Sequence, residues 1–123
     1  MTFNGIPDAL SQALTGHGYT ALTPVQSAVI EDEARGRDLV VSAQTGSGKT
    51  VAFGIAMADE LLAEGGVLPP AGAPLALVIA PTRELALQVA RELDWLYAGT
   101  GAKIAACVGG MDPQRERRTL NYG

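Results

Sequence analysis

The residue pattern predicts an α/β fold, a parallel sheet with flanking helices. Three observations carry this expectation. Short apolar runs of the kind that fill buried strands recur at 38–43, 75–80 and 103–108. Stretches with helical spacing lie between them, as strand–crossover–strand units with right-handed connections require. Fifteen Gly and seven Pro separate these units from one another.

The 123 residues amount to one domain. With 47% hydrophobic and 18% charged residues there is enough apolar material for a core, which argues against wholesale disorder. Thirteen acidic against nine basic residues give a net charge of -4, which excludes a polybasic nucleic-acid binder as a reading of the whole chain but not a local basic patch. The single cysteine, Cys107, has no partner for an internal disulfide, which fits a reducing, cytoplasmic setting. No basic region followed by an apolar run opens the chain, so no signal peptide is expected. No stretch approaches the roughly 20 apolar residues of a membrane span, so no membrane partner is expected. One His and one Cys do not make a metal cage, and His17, between Gly16 and Gly18, reads as a surface turn rather than a catalytic base.

The elements follow in order. Ile6, Leu10 and Leu14 put one apolar face on a short helix over 6–14. Thr23-Pro24 is a cap followed by a first-turn proline, opening a helix to about residue 34 that Gly36 closes. The run DLVVSA at 38–43 predicts the first buried strand, and a helix is expected over 48–64 after a glycine-rich turn. Residues 65–74, rich in Gly and Pro, read as a loop. LALVIA at 75–80 predicts a second strand. From Thr82 a helix runs to about residue 98, with Leu85, Val89, Leu93 and Leu96 on its buried face. KIAACV at 103–108 predicts a third strand, with Cys107 as a small buried residue, and residues 113–120 a final polar helix. Three strands make a thin sheet, so the domain is expected to be incomplete.

The strongest chemical signal is Ala43-Gln44-Thr45-Gly46-Ser47-Gly48-Lys49-Thr50, placed between a predicted strand and a predicted helix. That is the setting of a phosphate-binding loop. Small residues let backbone N–H groups converge on phosphate oxygens, and the helix start adds its positive dipole end. Lys49 is placed to reach the β- and γ-phosphates and the Thr50 hydroxyl to coordinate Mg²⁺. Ala43 stands where the general pattern has its first Gly, and keeps that position small.

Upstream lies GYTALTPVQ at 18–26, with Phe3 further back. Together with the loop, with Pro81-Thr82-Arg83-Glu84-Leu85-Ala86 and with Gly109-Gly110, this segment resembles the DEAD-box family of ATP-dependent RNA helicases. The four motifs stand in the family's order: Q motif, motif I, motif Ia and GG. The resemblance implies the N-terminal part of a RecA-like P-loop NTPase domain. Residues 1–37 would be a Q-motif helical cap, and 38–123 the first part of the domain. ATP or ADP with Mg²⁺ would be the cofactor.

By the same resemblance Gln26 reads the adenine edge, Phe3 packs on its face, and Thr23 ties this segment to the phosphate loop. A carboxamide offers one acceptor and one donor to N6 and N7 of adenine, whereas guanine presents two acceptors there. Tyr19 serves equally well as an adenine contact or as a core aromatic of the cap. The resemblance further implies that Pro81, Thr82, Arg83, Gly109 and Gly110 touch the RNA sugar-phosphate backbone. Read without the family, Thr82 is an ordinary N-cap followed by a solvated first turn. Arg115, Arg117 and Arg118 read as a solvated helix face, and Trp95 and Tyr97 as packing residues.

The acidic tetrapeptide that names the family, its Ser-Ala-Thr motif and its second RecA-like domain are not among these residues. Those parts hold Mg²⁺, position the attacking water and stabilise transition-state charge. The chain is therefore expected to bind nucleotide without turning it over, and to need the remainder of a helicase for activity. Two other readings stay open: a non-catalytic nucleotide- or RNA-binding module, and a P-loop enzyme unrelated to RNA. In the family the Ser-Ala-Thr strand lies beside the P-loop strand, so marginal stability or self-association is expected without it.

Overall fold

The structure, a computed structural model, describes residues 3–31, 33–42, 48–62 and 75–107. Four α-helices and a 3-10 turn form over these residues: α1 (Asp8–Gly16), α2 (Pro24–Val29), α3 (Lys49–Leu61), α4 (Arg83–Leu96) and the turn Ala98–Thr100.

Helix α1 starts two residues later than its apolar spacing predicts. Pro7 stands outside the helix in an extended conformation, with Asp8 in the first turn where a negative charge meets the dipole favourably. Ile6, Leu10 and Leu14 are all buried as expected. The His17 N–H closes the helix on the carbonyls of Ala13 and Leu14. Helix α2 is much shorter than predicted. Arg35 Nε donates to the Ile30 carbonyl at 3.3 Å, while another guanidinium nitrogen donates to the Gly5 carbonyl at 3.0 Å. This gives the helix end a side-chain donor in place of a further turn of helix.

Helix α4 is capped by Thr82, whose hydroxyl accepts from the Leu85 N–H at 3.2 Å. From Val89 onward its apolar face is buried, through Leu93 and Leu96. Leu85, expected on the same face, is 38% exposed, because the core engages the later turns of the helix. The core draws on α1, α3 and α4: Leu10 and Leu14, Val51, Ile55 and Ala58, and Leu93, Leu96 and Tyr97 belong to one buried cluster. Gly54 sits where α4 crosses α3. A Cβ there would come within 2.7 Å of Leu96 Cδ2 and 3.0 Å of Leu93 Cδ2.

The predicted strands behave differently. Among the described residues no strand is paired: 38–42, 76–80 and 102–107 run without a ladder. Val40 is fully solvent-facing, and Leu77 and Ile79 are 84% and 85% exposed. An apolar run becomes a strand by pairing its N–H and C=O groups with a neighbouring strand, and no such ladder forms among the described residues. The last run alternates half-buried and exposed positions. Cys107 falls on its outer side and is exposed, which corrects the expectation of a buried thiol. The loop over 65–74 and the helix over 113–120 lie outside the described residues.

Candidate functional site

Thr23 and Gln26 form a reciprocal capping box at the start of α2. The Thr23 hydroxyl accepts the Gln26 N–H at 3.4 Å, and Gln26 Oε1 accepts the Thr23 N–H at 3.0 Å. A cap side chain of this kind ordinarily points to solvent, but Gln26 is completely buried. Its Nε2 donates to the Gly48 carbonyl at 3.2 Å. That carbonyl also takes the Ala52 N–H at 3.0 Å, the first bond of α3. The start of α2 and the start of α3 are thereby joined through one carboxamide.

The two bonds fix which way the carboxamide faces. Turned over, it would set its oxygen against the Gly48 carbonyl and its NH₂ against the Thr23 N–H, two like-with-like contacts. A carboxamide has two acceptor lone pairs and two N–H donors, and each end spends one here. One acceptor and one donor remain. Gly48 itself has φ +85°, in the left-handed region, and a Cβ on it would collide with Gln26 Nε2. Glycine is required at this position by conformation and by space together.

Lys49 is exposed and Thr50 half-buried, both in the first turn of α3. The N–H groups of this turn have no acceptor within the helix and carry its positive dipole end. Residues 43–47 of the expected phosphate loop lie outside the described residues, as do Gly109 and Gly110 and the arginines at 115, 117 and 118. Pro81, Thr82 and Arg83 are exposed together at the start of α4.

Phe3 and Tyr19 fall elsewhere. Phe3 is buried in the core cluster, its N–H bonded to Ser11 Oγ at 3.2 Å, and Ser11 donates onward to the Ile6 carbonyl at 3.4 Å. Tyr19 packs on the same core and leans on Trp95 at 6.1 Å between ring centroids. His17 is exposed and stacks on Trp95 at 3.9 Å with the rings nearly parallel. Sequence reasoning did not find the buried Ser11, or the bond from the Tyr97 hydroxyl to the Gly54 carbonyl at 2.6 Å. A signal for the second was present: a glycine inside a helix costs about 1 kcal/mol against alanine and asks for a packing reason.

Comparison with known proteins bears on this arrangement. The model of the DEAD/DEAH box helicase family matches residues 23–122. The chain is 42% identical over 120 residues to the DEAD-box ATP-dependent RNA helicase 9 of Oryza sativa subsp. japonica, across 97% of this chain and 18% of that protein. It is 43% identical over 108 residues to the ATP-dependent rRNA helicase rrp3 of Emericella nidulans, across 88% of this chain and 22% of that protein. Among solved structures it is similar to the RNA-helicase Prp28 from Chaetomium thermophilum bound to ADP. That likeness has a TM-score of 0.83 and 31% identity, over 99% of this chain and 30% of that one. A hypothetical ATP-dependent RNA helicase from Sulfolobus tokodaii gives a TM-score of 0.77 at 30% identity, over 94% of this chain and 31% of that one. The chain spans about a fifth of the length of the curated relatives it matches.

Proposed function

Because the chain belongs to the DEAD/DEAH box helicase family, we propose that it is the part of an ATP-dependent RNA helicase that holds the adenine nucleotide. Residues 1–37 act as the cap that reads the base, and residues 38–123 as the first part of a RecA-like domain with a parallel sheet.

The observation that carries this reading is the buried Gln26 carboxamide, held by Thr23 and Gly48 with its polarity fixed. The acceptor and donor it has left match N6–H and N7 of adenine and mismatch guanine. A mismatch strands a buried polar group, at a cost of about 1–3 kcal/mol. On this reading Phe3 packs on the adenine face, and Tyr19 serves as an adenine contact or as a core aromatic of the cap; in the structure both pack on the core cluster.

The residues present fit a nucleotide at the start of α3. Gly48, lacking a Cβ, admits the Gln26 carboxamide to the head of α3, and the first-turn N–H groups there have no acceptor within the helix. Lys49 binds the β- and γ-phosphates, and the motif at 43–47 completes the phosphate loop by its sequence. Mg²⁺ neutralises phosphate charge when bound, and the Thr50 hydroxyl is the ligand this chain supplies. At the start of α4, Thr82 and Arg83 hold RNA through phosphate, with Pro81 beside them, and Gly109-Gly110 adds a backbone contact. Such contacts position RNA without reading its sequence. The sequence Asp-Glu-Ala-Asp occurs nowhere in the 123 residues. On this reading the 123 residues supply nucleotide binding, and hydrolysis and unwinding would draw on groups not found among them.

A thermal-melt titration with Mg²⁺-ADP and, in parallel, Mg²⁺-GDP tests the proposal. A ligand that binds only the folded state raises the midpoint as RT ln(1 + [L]/Kd). ADP should raise it and GDP should not. Equal shifts for both would remove Gln26 from base selection, and no shift for either would remove the nucleotide site. Phosphate release from ATP that is abolished by Lys49→Ala would refute the statement on hydrolysis.

A further inference from the structure

We infer that Tyr97 is a positioning residue, which sets the angle of α4 on α3 and so the place of the Thr82–Arg83 end. The functional half of this inference rests on the proposed phosphate contact at that end.

Helix α4 is held at one end. Residues 83–85 and Gln88 are exposed, and Ala86 and Leu87 are half-buried, whereas Val89, Leu93, Leu96 and Tyr97 lie in the core. The seat is the backbone of α3 at Gly54, where Leu93 and Leu96 approach so closely that a Cβ would meet their methyl carbons at 3.0 and 2.7 Å. Apolar contacts of this kind press two helices together and favour a class of crossing angles with a scatter of about 15–20°, within which a directed bond can select. The Tyr97 hydroxyl supplies the direction. It donates to the Gly54 carbonyl at 2.6 Å in a buried setting. That carbonyl keeps a second lone pair for the helix ladder of α3.

Lever lengths decide which site feels this bond. Lys49 is about 8 Å along α3 from Gly54, taking a rise of 1.5 Å per residue. Arg83 is roughly 20 Å along α4 from Tyr97 by the same rise. A tilt of about 10° at the seat would move the far end of that roughly 20 Å lever by about 3.5 Å, more than a hydrogen-bond length. The same tilt over about 8 Å would move the start of α3 by about 1.4 Å, less than half as far. Tyr97 thus acts mainly on the RNA-facing end and much less on the nucleotide end.

Pulsed electron-paramagnetic-resonance distances test the geometry directly. Spin labels go at Glu84→Cys and Glu60→Cys, both exposed positions, in the Cys107→Ser background. Tyr97→Phe keeps the ring and removes the hydroxyl, and should shift or broaden the label distance by about 3 Å, the displacement given by the helix rise. Gly54→Ala, which pushes on the seat from the other side, should do the same. Leu14→Ala, a core truncation in α1 that also lowers stability, should leave the distance as it is. An unchanged distance in both Tyr97→Phe and Gly54→Ala, or an equal change in Leu14→Ala, would overturn the inference. In titrations with fluorescent oligo(U), Tyr97→Phe should weaken RNA severalfold while Mg²⁺-ADP affinity changes much less. Parallel loss of both affinities would also overturn it. If the parent chain binds no oligo(U) while the distance still shifts, the phosphate reading of Thr82 and Arg83 fails and the geometric role of Tyr97 stands.

Discussion

Gln26 and Gly48, 22 residues apart, are joined by a single hydrogen bond of 3.2 Å from the Gln26 carboxamide nitrogen to the Gly48 carbonyl. The bond links a capping box to a helix start, so the cap of α2 and the head of α3 are one structural unit. Each partner is constrained by the other: the glutamine needs an acceptor in a buried site, and the glycine leaves room for it.

Gln26→Glu is the sharpest test of that unit. An ionised carboxylate accepts hydrogen bonds and donates none, so it would face the Gly48 carbonyl with like polarity, whereas the protonated form that burial favours can still donate; the comparison is therefore made at alkaline pH. Equilibrium urea unfolding should show a loss of about 1–3 kcal/mol, the cost of an unsatisfied buried polar group. The ADP-induced rise in melting temperature should vanish as well. A variant with parental stability would show that the bond to Gly48 contributes nothing.

Gly48→Ala and Gly36→Ala form a matched pair. Both glycines have positive φ, +85° and +70°, but a Cβ at Gly36 meets nothing within 4 Å, while at Gly48 it meets Gln26. Gly36→Ala should cost about 1 kcal/mol of backbone strain and leave ADP binding intact. Gly48→Ala should cost more and should weaken ADP binding, read by calorimetric titration.

Lys49→Ala separates folding from binding. Lys49 is exposed and in the first turn of α3, so its removal should leave the unliganded melting temperature nearly unchanged. The shift on adding Mg²⁺-ADP should disappear. A retained shift would place the phosphates elsewhere.

Substitutions at Thr82 distinguish a cap from a phosphate contact. Thr82→Ala removes the bond to the Leu85 N–H and should lower stability by about 1 kcal/mol. Thr82→Asp keeps an acceptor at the cap and should hold stability at the parental level. Its negative charge should nonetheless weaken oligo(U) binding, measured by fluorescence anisotropy. Undiminished oligo(U) binding by the Asp variant would leave Thr82 a cap and nothing more.

The helices were legible because their information is local. Ile6, Leu10 and Leu14 announce a face, and Thr23-Pro24 and Thr82 announce starts. The end of α2 was less legible: the donor at the Ile30 carbonyl is Arg35, five residues on, held in place by a second bond to Gly5, 30 residues back. The strands at 38–43 and 75–80 were read from short apolar runs, but a strand is completed by its neighbour, and no ladder forms among the described residues. Gln26 and Gly48 were each identified from motif, yet the bond between them needed coordinates. Tyr97 was read as a packing residue, as its burial bears out, but its bond to Gly54 escaped notice, because a buried hydroxyl and a buried carbonyl leave no periodic trace in the sequence.

The stack of His17 on Trp95 has a practical consequence. These are the chain's single histidine and single tryptophan, one at the end of α1 and the other in the last turn of α4. With rings parallel at 3.9 Å, the indole's emission is sensitive to the imidazole beside it. Intrinsic fluorescence therefore observes one defined joint, the seam between α1 and α4, without any label. Its lifetime, followed during unfolding beside a backbone signal such as circular dichroism, would reveal whether that seam opens before the helices melt or together with them.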